Sequence, residues 1–180
     1  MKTRDLIYCA LFAALTAIGA FLQIPTGTVP ITLQFLFTAL AGLLLGWKWG
    51  AISQLLYVGI GLLGLPVFTQ GGGIGYVLQP SFGFLLGLIP AAAVIGALTA
   101  RRTGYLTVLA AVLVGDLILY AVGVPYMYLI LHVYMQSAKT FPALLAAMLV
   151  YVPGDTLKIV VVTALVPVLR RTLAKAAPNL

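Results

Sequence analysis

Long apolar runs, separated by short polar or basic breaks, follow one another along most of this sequence. Each run is close to the roughly 20 residues that an α-helix needs to cross the core of a bilayer. Because lipid offers the backbone no hydrogen-bond partners, the runs are expected to be helices. The predicted spans are 6–22, 31–47, 51–65, 81–100, 105–124 and 153–169.

The predicted start of the last span depends on Pro153. A helix unbroken from Pro142 would be longer than a bilayer requires. Proline lacks the N–H that a helix interior needs, but it suits the first helical position. The apolar stretch 143–150 is then too short to span. It is expected as a small helix that lies on the membrane or folds back over the protein.

The composition supports a membrane protein. The chain has 180 residues, of which 63% are hydrophobic and 7% are charged, whereas soluble domains have about 25% charged residues. We expect an all-α bundle of six transmembrane helices that forms a single domain over residues 1–180. The lone cysteine, Cys9, excludes an intrachain disulfide and a thiolate metal cluster.

The basic residues fall almost entirely on one side of the predicted spans, and Lys139 lies on the other side. The positive-inside rule therefore predicts a plasma-membrane protein with both termini in the cytoplasm. The net charge of +7 is explained by this topology better than by nucleic-acid binding. The residues on the predicted cytoplasmic side are Lys2, Arg4, Lys48, Arg101, Arg102, Arg170, Arg171 and Lys175.

The predicted external connections, 23–30, 66–80 and 125–152, are longer than the cytoplasmic ones and are apolar and aromatic. Long loops in compact proteins commonly bind ligands. We expect them to cap a ligand cavity, with solvated connectors as the alternative. Within the second loop, the "GGGIG" run lacks the Lys-Ser/Thr of a phosphate loop. Its glycines allow sharp turns and close approach to a ligand.

The segment "YVPGDTLKIVVV" holds a candidate ligand site. Asp155 and Lys158 are three residues apart, so they lie on one helix face, within the first two turns after Pro153. Ionisable groups inside spans are costly and point to function. The alternative is an internal ion pair whose lysine extends to the interface.

The remaining polar residues predict less. Asp116 in the fifth span is protonated, hydrogen-bonded to a neighbouring helix or paired with Lys158, and structural and functional roles are equally plausible. His132 has no metal-ligating company in the sequence. Because no nucleophile with a partnered base or metal cluster is evident, an enzyme is disfavoured.

Several motifs in order along the chain resemble BioY, the biotin-binding S component of energy-coupling-factor vitamin transporters. They are "VPITLQFLFTALAGLLLG" (29–46), "GLLGLPVF" (61–68), the glycine run leading to "QPSFGFLLG" (79–87), and "VPGDTLK" (152–158). The resemblance covers nearly the whole chain. It implies six helices with extracellular loops that close over the vitamin.

The resemblance also implies residue roles. Biotin, as transported ligand with no other cofactor, would contact Asp155 and Lys158. Gly73, Tyr76 and Gln79 of the glycine-rich loop would be neighbours of the ligand. Further implied roles are ligand contact for Gln34, of the Pro-x-Thr-x-Gln motif, and docking to the coupling subunit for Ala10 and Ala14 of the first helix.

Two positions depart from the pattern of some family members. Those members carry an asparagine in the glycine loop and an arginine early in the fourth helix, where this chain has Gly72-Gly73 and Leu85. Lys158 or backbone N–H groups would then hold the ligand carboxylate.

The expected function is therefore high-affinity biotin capture, powered by two ATP-binding partner subunits through a transmembrane coupling subunit. An S component for another vitamin and a solitary proton-coupled carrier are the alternatives. From its four-residue spacing alone, the Ala10/Ala14 pair favours internal helix packing over docking, and the resemblance is what raises docking.

Overall fold

The protein is built almost entirely of helices. The computed structural model describes residues 3–26, 29–101 and 104–176, with side chains described as far as residue 166. The predicted all-α class is confirmed. The helices are α1 (Thr3–Phe21), α2 (Gln34–Leu62), α3 (Phe82–Leu98), α4 (Tyr105–Leu129), α5 (Phe141–Met148) and α6 (Val152–Ala176).

Short elements connect these helices. The strands β1 (Gln23–Ile24) and β2 (Ile31–Thr32) pair antiparallel between α1 and α2. A 3₁₀ turn at Ile74–Leu78 precedes α3, a π-helical turn at Ile130–Tyr134 follows α4, and a 3₁₀ turn at Leu149–Tyr151 joins α5 to α6.

Four helical stretches of the described residues are long and apolar enough to cross a membrane. They are Thr3–Phe21, Gln34–Leu62, Tyr105–Tyr134 and Phe141–Val166, and Phe82–Leu98 is a shorter apolar helix.

Helix α2 folds back on itself at Gly46. This residue has φ 79° and ψ 179°, a backbone conformation that glycine adopts without steric cost. A Cβ atom added at Gly50 would lie 2.9 Å from the Cα of Gly42, a distance that a continuous helix does not allow across eight residues. The Thr38 hydroxyl donates to Gln54 Oε1 at 2.9 Å. The two arms, 34–45 and 47–62, correspond to the spans predicted at 31–47 and 51–65.

The predicted ends of two helices differ most from the observed ones. Helix α4 continues through Pro125 to Leu129 rather than ending at Val124. Proline removes one hydrogen bond from a helix, but neighbouring helices make this loss tolerable in membrane proteins. Helix α6 begins at Val152 and extends to Ala176, beyond the predicted end at residue 169.

Small residues let the central helices approach closely. A Cβ atom added at Gly42 of α2 would lie 2.5 Å from the carbonyl oxygen of Ala92 in α3. One added at Gly87 of α3 would lie 3.1 Å from the carbonyl oxygen of Leu119 in α4. The backbones of α2, α3 and α4 therefore pack with little side-chain material between them.

The start of α1, the turn of α2 and the end of α3 lie at one end of the bundle. The Cys9 thiol donates to the carbonyl of Trp49 at 3.4 Å. A Cβ atom added at Gly96 would lie 2.3 Å from the backbone nitrogen of Trp47. The basic residues of this end that the structure describes are Arg4, Lys48 and Arg101; Lys2, Arg102, Arg170, Arg171 and Lys175 lie outside the described side chains.

The long connections meet at the opposite end. The Gln23 side-chain amide donates to the carbonyl of Thr69 at 3.3 Å, and the hydroxyls of Thr26 and Tyr151 share a hydrogen bond of 2.9 Å. The first connection therefore contacts both the second connection and the 3₁₀ turn before α6.

The small helix predicted near residues 143–150 is present as α5. Its buried residues, Leu144 and Met148, pack in a cluster with Val124 and Met127 of α4. Helix α5 thus folds back over the protein, which is one of the two placements that the sequence allows.

Candidate ligand-binding site

A cavity opens beneath the long connections. It offers about 70 Å³ to the centres of water-sized molecules, several times the space that one buried water needs. Its wall combines apolar and aromatic side chains with a few polar groups, as ligand pockets commonly do. The lining residues are Val29, Pro30, Ile31, Thr32, Gln34, Phe35, Thr69, Tyr76, Ser81, Phe84, Leu85, Leu88, Leu119, Tyr120, Met148, Tyr151, Asp155 and Lys158.

A buried ion pair from α6 forms one wall. Lys158 Nζ lies 2.5 Å from Asp155 Oδ1, and the two residues are 8% and 7% exposed. Their three-residue spacing at the start of α6 places both side chains on the helix face that meets the cavity. An ion pair removed from water interacts strongly, and removing one partner leaves a buried charge without compensation.

Two further groups complete this arrangement, which we call the Asp155 cluster: Asp155, Lys158, Tyr120 and Thr32. The Tyr120 hydroxyl of α4 donates to Asp155 Oδ2. Lys158 Nζ donates to the backbone carbonyl of Thr32 in β2 at 3.2 Å. Three elements therefore converge on one carboxylate and one ammonium group.

The Gln34 amide is held at the cavity wall from both of its ends. The Thr32 hydroxyl donates to Gln34 Oε1 at 2.9 Å, and Gln34 Nε2 donates to the Tyr57 hydroxyl at 2.7 Å. Tyr57 in turn donates to the carbonyl of Val67 at 3.1 Å. Because each group has a partner, the network fixes the orientation of the Gln34 side chain.

Tyr76 reaches the cavity from the connection between α2 and α3. Its hydroxyl shares hydrogen bonds with Thr69 Oγ1 at 2.8 Å and with Ser81 Oγ at 3.4 Å. Its ring packs against Phe68, with ring centres 4.6 Å apart. The turn that carries Tyr76 begins after Gly73, whose φ is 100° and whose N–H donates to the carbonyl of Gly61 at 2.7 Å.

The six residues predicted to contact a ligand are only partly brought together. Asp155, Lys158, Tyr76 and Gln34 line the cavity, whereas Gly73 and Gln79 are not among its lining residues. Gln79 is exposed, and Gly73 shapes the turn before Tyr76. Ligand contact by each of the six stays a prediction.

The predicted docking pair lies on the outer surface. Ala10 and Ala14 are both exposed on α1, whereas the neighbouring residues Cys9 and Ala13 are buried against the bundle. This pair therefore does not pack the interior of the chain. Its role in docking stays a prediction.

Sequence reasoning missed several lining residues, above all Tyr120 and the Thr32 carbonyl. A signal for Tyr120 existed: it follows Asp116 by four residues in an apolar helix, so the two share a face. A backbone carbonyl carries no signal in the identity of its residue. The hydroxyl groups of Thr69, Ser81 and Tyr151 were likewise not assigned to the site.

Two other polar residues lie apart from these contacts. Asp116 is half-buried, and its Oδ1 accepts no hydrogen bond from any described residue. The His132 ring stacks on Tyr128, with centres 5.3 Å apart. Within residues 3–26, 29–101 and 104–176, no three His, Cys, Asp or Glu side chains come together as a metal site.

Comparison with known proteins finds one family and several close relatives. The model of the BioY family matches residues 1–175. The probable biotin transporter BioY of Lysinibacillus sphaericus is 54% identical over 142 residues, which cover 78% of this chain and 72% of that protein. The biotin transporter BioY of Rhodobacter capsulatus is 40% identical over 98% of this chain and 96% of its own.

A solved structure has the same fold. The crystal structure of the S-component for biotin from an ECF-type ABC transporter superposes with a TM-score of 0.83. It is 31% identical in sequence, and the match covers 95% of each chain.

Proposed function

The chain belongs to the BioY family, and on that premise we propose that it captures biotin as the substrate-specific subunit of an energy-coupling-factor transporter. It is a membrane transporter component rather than an enzyme. The observation that carries the proposal is the cavity with the buried Asp155–Lys158 pair in its wall. Biotin is cargo here, and the proposal includes no resident cofactor.

The chemistry of biotin matches the groups in the cavity wall. Its ureido ring has N–H donors and a carbonyl acceptor, and its side chain ends in a carboxylate. Asp155 accepts hydrogen bonds, and Lys158 donates them to a carbonyl or carboxylate oxygen. Phe84, Leu85 and Leu88 offer apolar surface to the thioether ring and the methylene groups.

Lys158 is the cationic residue among those that line the cavity. At Leu85, where some family members carry arginine, the wall is apolar. The proposal therefore gives Lys158 a larger share in holding an anionic ligand than it would have beside an arginine. Hydrogen bonds to such groups gain strength where water is excluded.

The proposed topology has six membrane crossings. They are α1, the two arms of α2, α3, α4 and α6. The end of the bundle with Arg4, Lys48 and Arg101 faces the cytoplasm by the positive-inside rule, so both termini do so too. The cavity then lies beneath connections on the external side, which cap it and admit the vitamin.

The proposed partners are a transmembrane coupling subunit and two ATP-binding subunits of an energy-coupling-factor module. Capture in the cavity needs no ATP, but release to the cytoplasm would draw on hydrolysis by the partners. The exposed Ala10 and Ala14 of α1 provide a small-residue face where a partner helix can approach closely.

Calorimetry with the purified chain in detergent tests the function. We expect saturable, tight binding of biotin, and we expect Asp155→Asn and Lys158→Ala to abolish it while both variants stay folded by size-exclusion chromatography. Asp5→Asn is the matched control, since Asp5 lies in α1 outside the cavity lining. Unchanged biotin affinity in both site variants would refute the assignment of the site.

A vitamin panel tests the substrate. Biotin should displace labelled biotin, whereas thiamine and riboflavin should not. Displacement by another vitamin at lower concentration than biotin would make this an S component for that vitamin.

A further inference from the structure

A buried carboxylate oxygen without a donor lies in α4 close to the cavity. Oδ1 of Asp116 is buried and unpaired among the described residues. Asp116 also lies within electrostatic range of both Asp155 and Lys158. Unpaired acceptors and ionisable groups are costly inside a membrane protein, which makes Asp116 a candidate for a functional role.

The register of α4 against α6 places Asp116 level with Lys158. The helices run in opposite directions: Tyr151, which precedes Asp155, packs against the cluster that contains Val124 and Met127, which follow Tyr120. They meet where Tyr120 donates to Asp155.

Asp116 and Lys158 are separated from that contact by nearly the same number of residues, each along its own helix. Asp116 precedes Tyr120 by four residues, and Lys158 follows Asp155 by three. At ~1.5 Å per residue these steps are about 6 and 4.5 Å in the same direction. The two side chains therefore start from nearly the same depth on facing helices.

The hydrogen-bonding capacities are complementary. A lysine ammonium has three donors, and in the described structure Lys158 uses two of them, toward Asp155 and the Thr32 carbonyl. Both oxygens of Asp155 already accept, from Lys158 and Tyr120. Each carboxylate oxygen can accept a second hydrogen bond, so a ligand N–H can add to these donors, and Asp155 then shares its charge between the ligand and Lys158.

We propose that Asp116 is a positioning residue that serves as a second carboxylate partner of Lys158. When the ligand hydrogen-bonds to Asp155, the Lys158 ammonium group redirects part of its hydrogen bonding to Asp116. Its positive charge therefore stays neutralised while Lys158 contacts the ligand. This inference rests on the proposed function, because it concerns the ligand-bound state of the same cavity.

The test compares Asp116→Asn with wild type by two measurements on the purified chain: biotin affinity, and the melting temperature without biotin. We expect the affinity to fall at least about fivefold, because a carboxylate partner of a desolvated ammonium is lost. The melting temperature without biotin should not fall, because no described residue donates a hydrogen bond to Asp116 Oδ1. Asp116→Glu, which keeps the carboxylate, should retain more affinity than Asp116→Asn, and Asp5→Asn, which removes a carboxylate outside the cavity lining, should leave the affinity unchanged.

The opposite results would overturn the inference. They are a smaller loss of affinity in Asp116→Asn, a loss accompanied by a lower melting temperature without biotin, or an equal loss in Asp116→Glu. If wild type binds biotin and Asp116→Asn binds it equally well, only the role of Asp116 fails. A wild-type protein that binds no biotin refutes the proposed function as well.

Discussion

The carboxylate of Asp155 is held from two directions by groups on different helices. Lys158 approaches Oδ1 from the next turn of α6, and Tyr120 donates to Oδ2 from α4. Such charge-assisted hydrogen bonds are stronger than neutral ones. The protein itself therefore holds the side chain in one orientation, and such preorganisation lowers the cost of binding.

The Tyr120 hydroxyl should contribute measurably to the stability of the ligand-free protein. Tyr120→Phe removes one donor from a buried carboxylate, a loss of about 1.5–3 kcal/mol for a hydrogen bond to a charged group. The ring contact with Phe84, with centres 5.9 Å apart, is kept. We expect a lower melting temperature without biotin, measured by thermal unfolding in detergent.

Tyr128→Phe is the matched control for that substitution. Tyr128 stacks on His132 and packs against Phe141, contacts of the ring that phenylalanine can also make. Its melting temperature should stay at the wild-type value. If Tyr120→Phe has the same melting temperature as this control, the hydrogen bond to Asp155 does not stabilise the fold.

Among the elements, the α2 hairpin organises the bundle. Its turn at Gly46 packs against α3 so closely that a Cβ atom at Gly96 would lie 2.5 Å from the Gly46 carbonyl carbon. Its arms are joined by the hydrogen bond from Thr38 to Gln54. The hairpin thus brings Gln34 and Tyr57, from opposite arms, to the same side of the cavity.

Gly96→Ala should destabilise the protein, because the added methyl group meets backbone atoms that cannot move without opening the turn. Gly59→Ala, in the second arm of α2, is the control: its added Cβ would have nothing within 4 Å. Alanine there favours a helix over glycine by about 1 kcal/mol. Thermal unfolding should show a lower melting temperature than wild type for Gly96→Ala. The melting temperature of Gly59→Ala should not fall. Equal melting temperatures would contradict the close packing.

The whole molecule has two unlike ends. Polar contacts and the cavity gather where the long connections meet, and the described basic residues Arg4, Lys48 and Arg101 lie at the other end. This separation suits a subunit that captures its ligand on one side of a membrane and delivers it on the other. The exposed pair Ala10 and Ala14 lies on α1, outside the cavity lining.

Ala14→Trp should separate docking from capture. The indole blocks close approach of a partner helix, so co-purification with coupling and ATP-binding subunits should fall while biotin affinity of the isolated chain is unchanged. Leu106→Trp is the control, because Leu106 is 75% exposed on another helix. If both variants assemble as wild type does, α1 does not present the docking face at Ala14.

The sequence by itself determined the helical class, the apolar segments, the separation of basic residues from the long loops, and the pairing of Asp155 with Lys158. These features are local: they depend on hydropathy over one span or on spacing within two helical turns. The two arms of the α2 hairpin could be predicted as separate spans for the same reason, since basic and aromatic residues interrupt the apolar run after Gly46.

Only the tertiary structure decided which groups meet that ion pair. Tyr120 lies 35 residues from Asp155, and the Thr32 carbonyl lies 126 residues from Lys158. Contacts over such separations depend on how helices pack, which no local pattern records. The same packing left Gly73 and Gln79 outside the cavity lining although Tyr76 of the same connection lines it, because the position of a connection depends on the elements that it packs against.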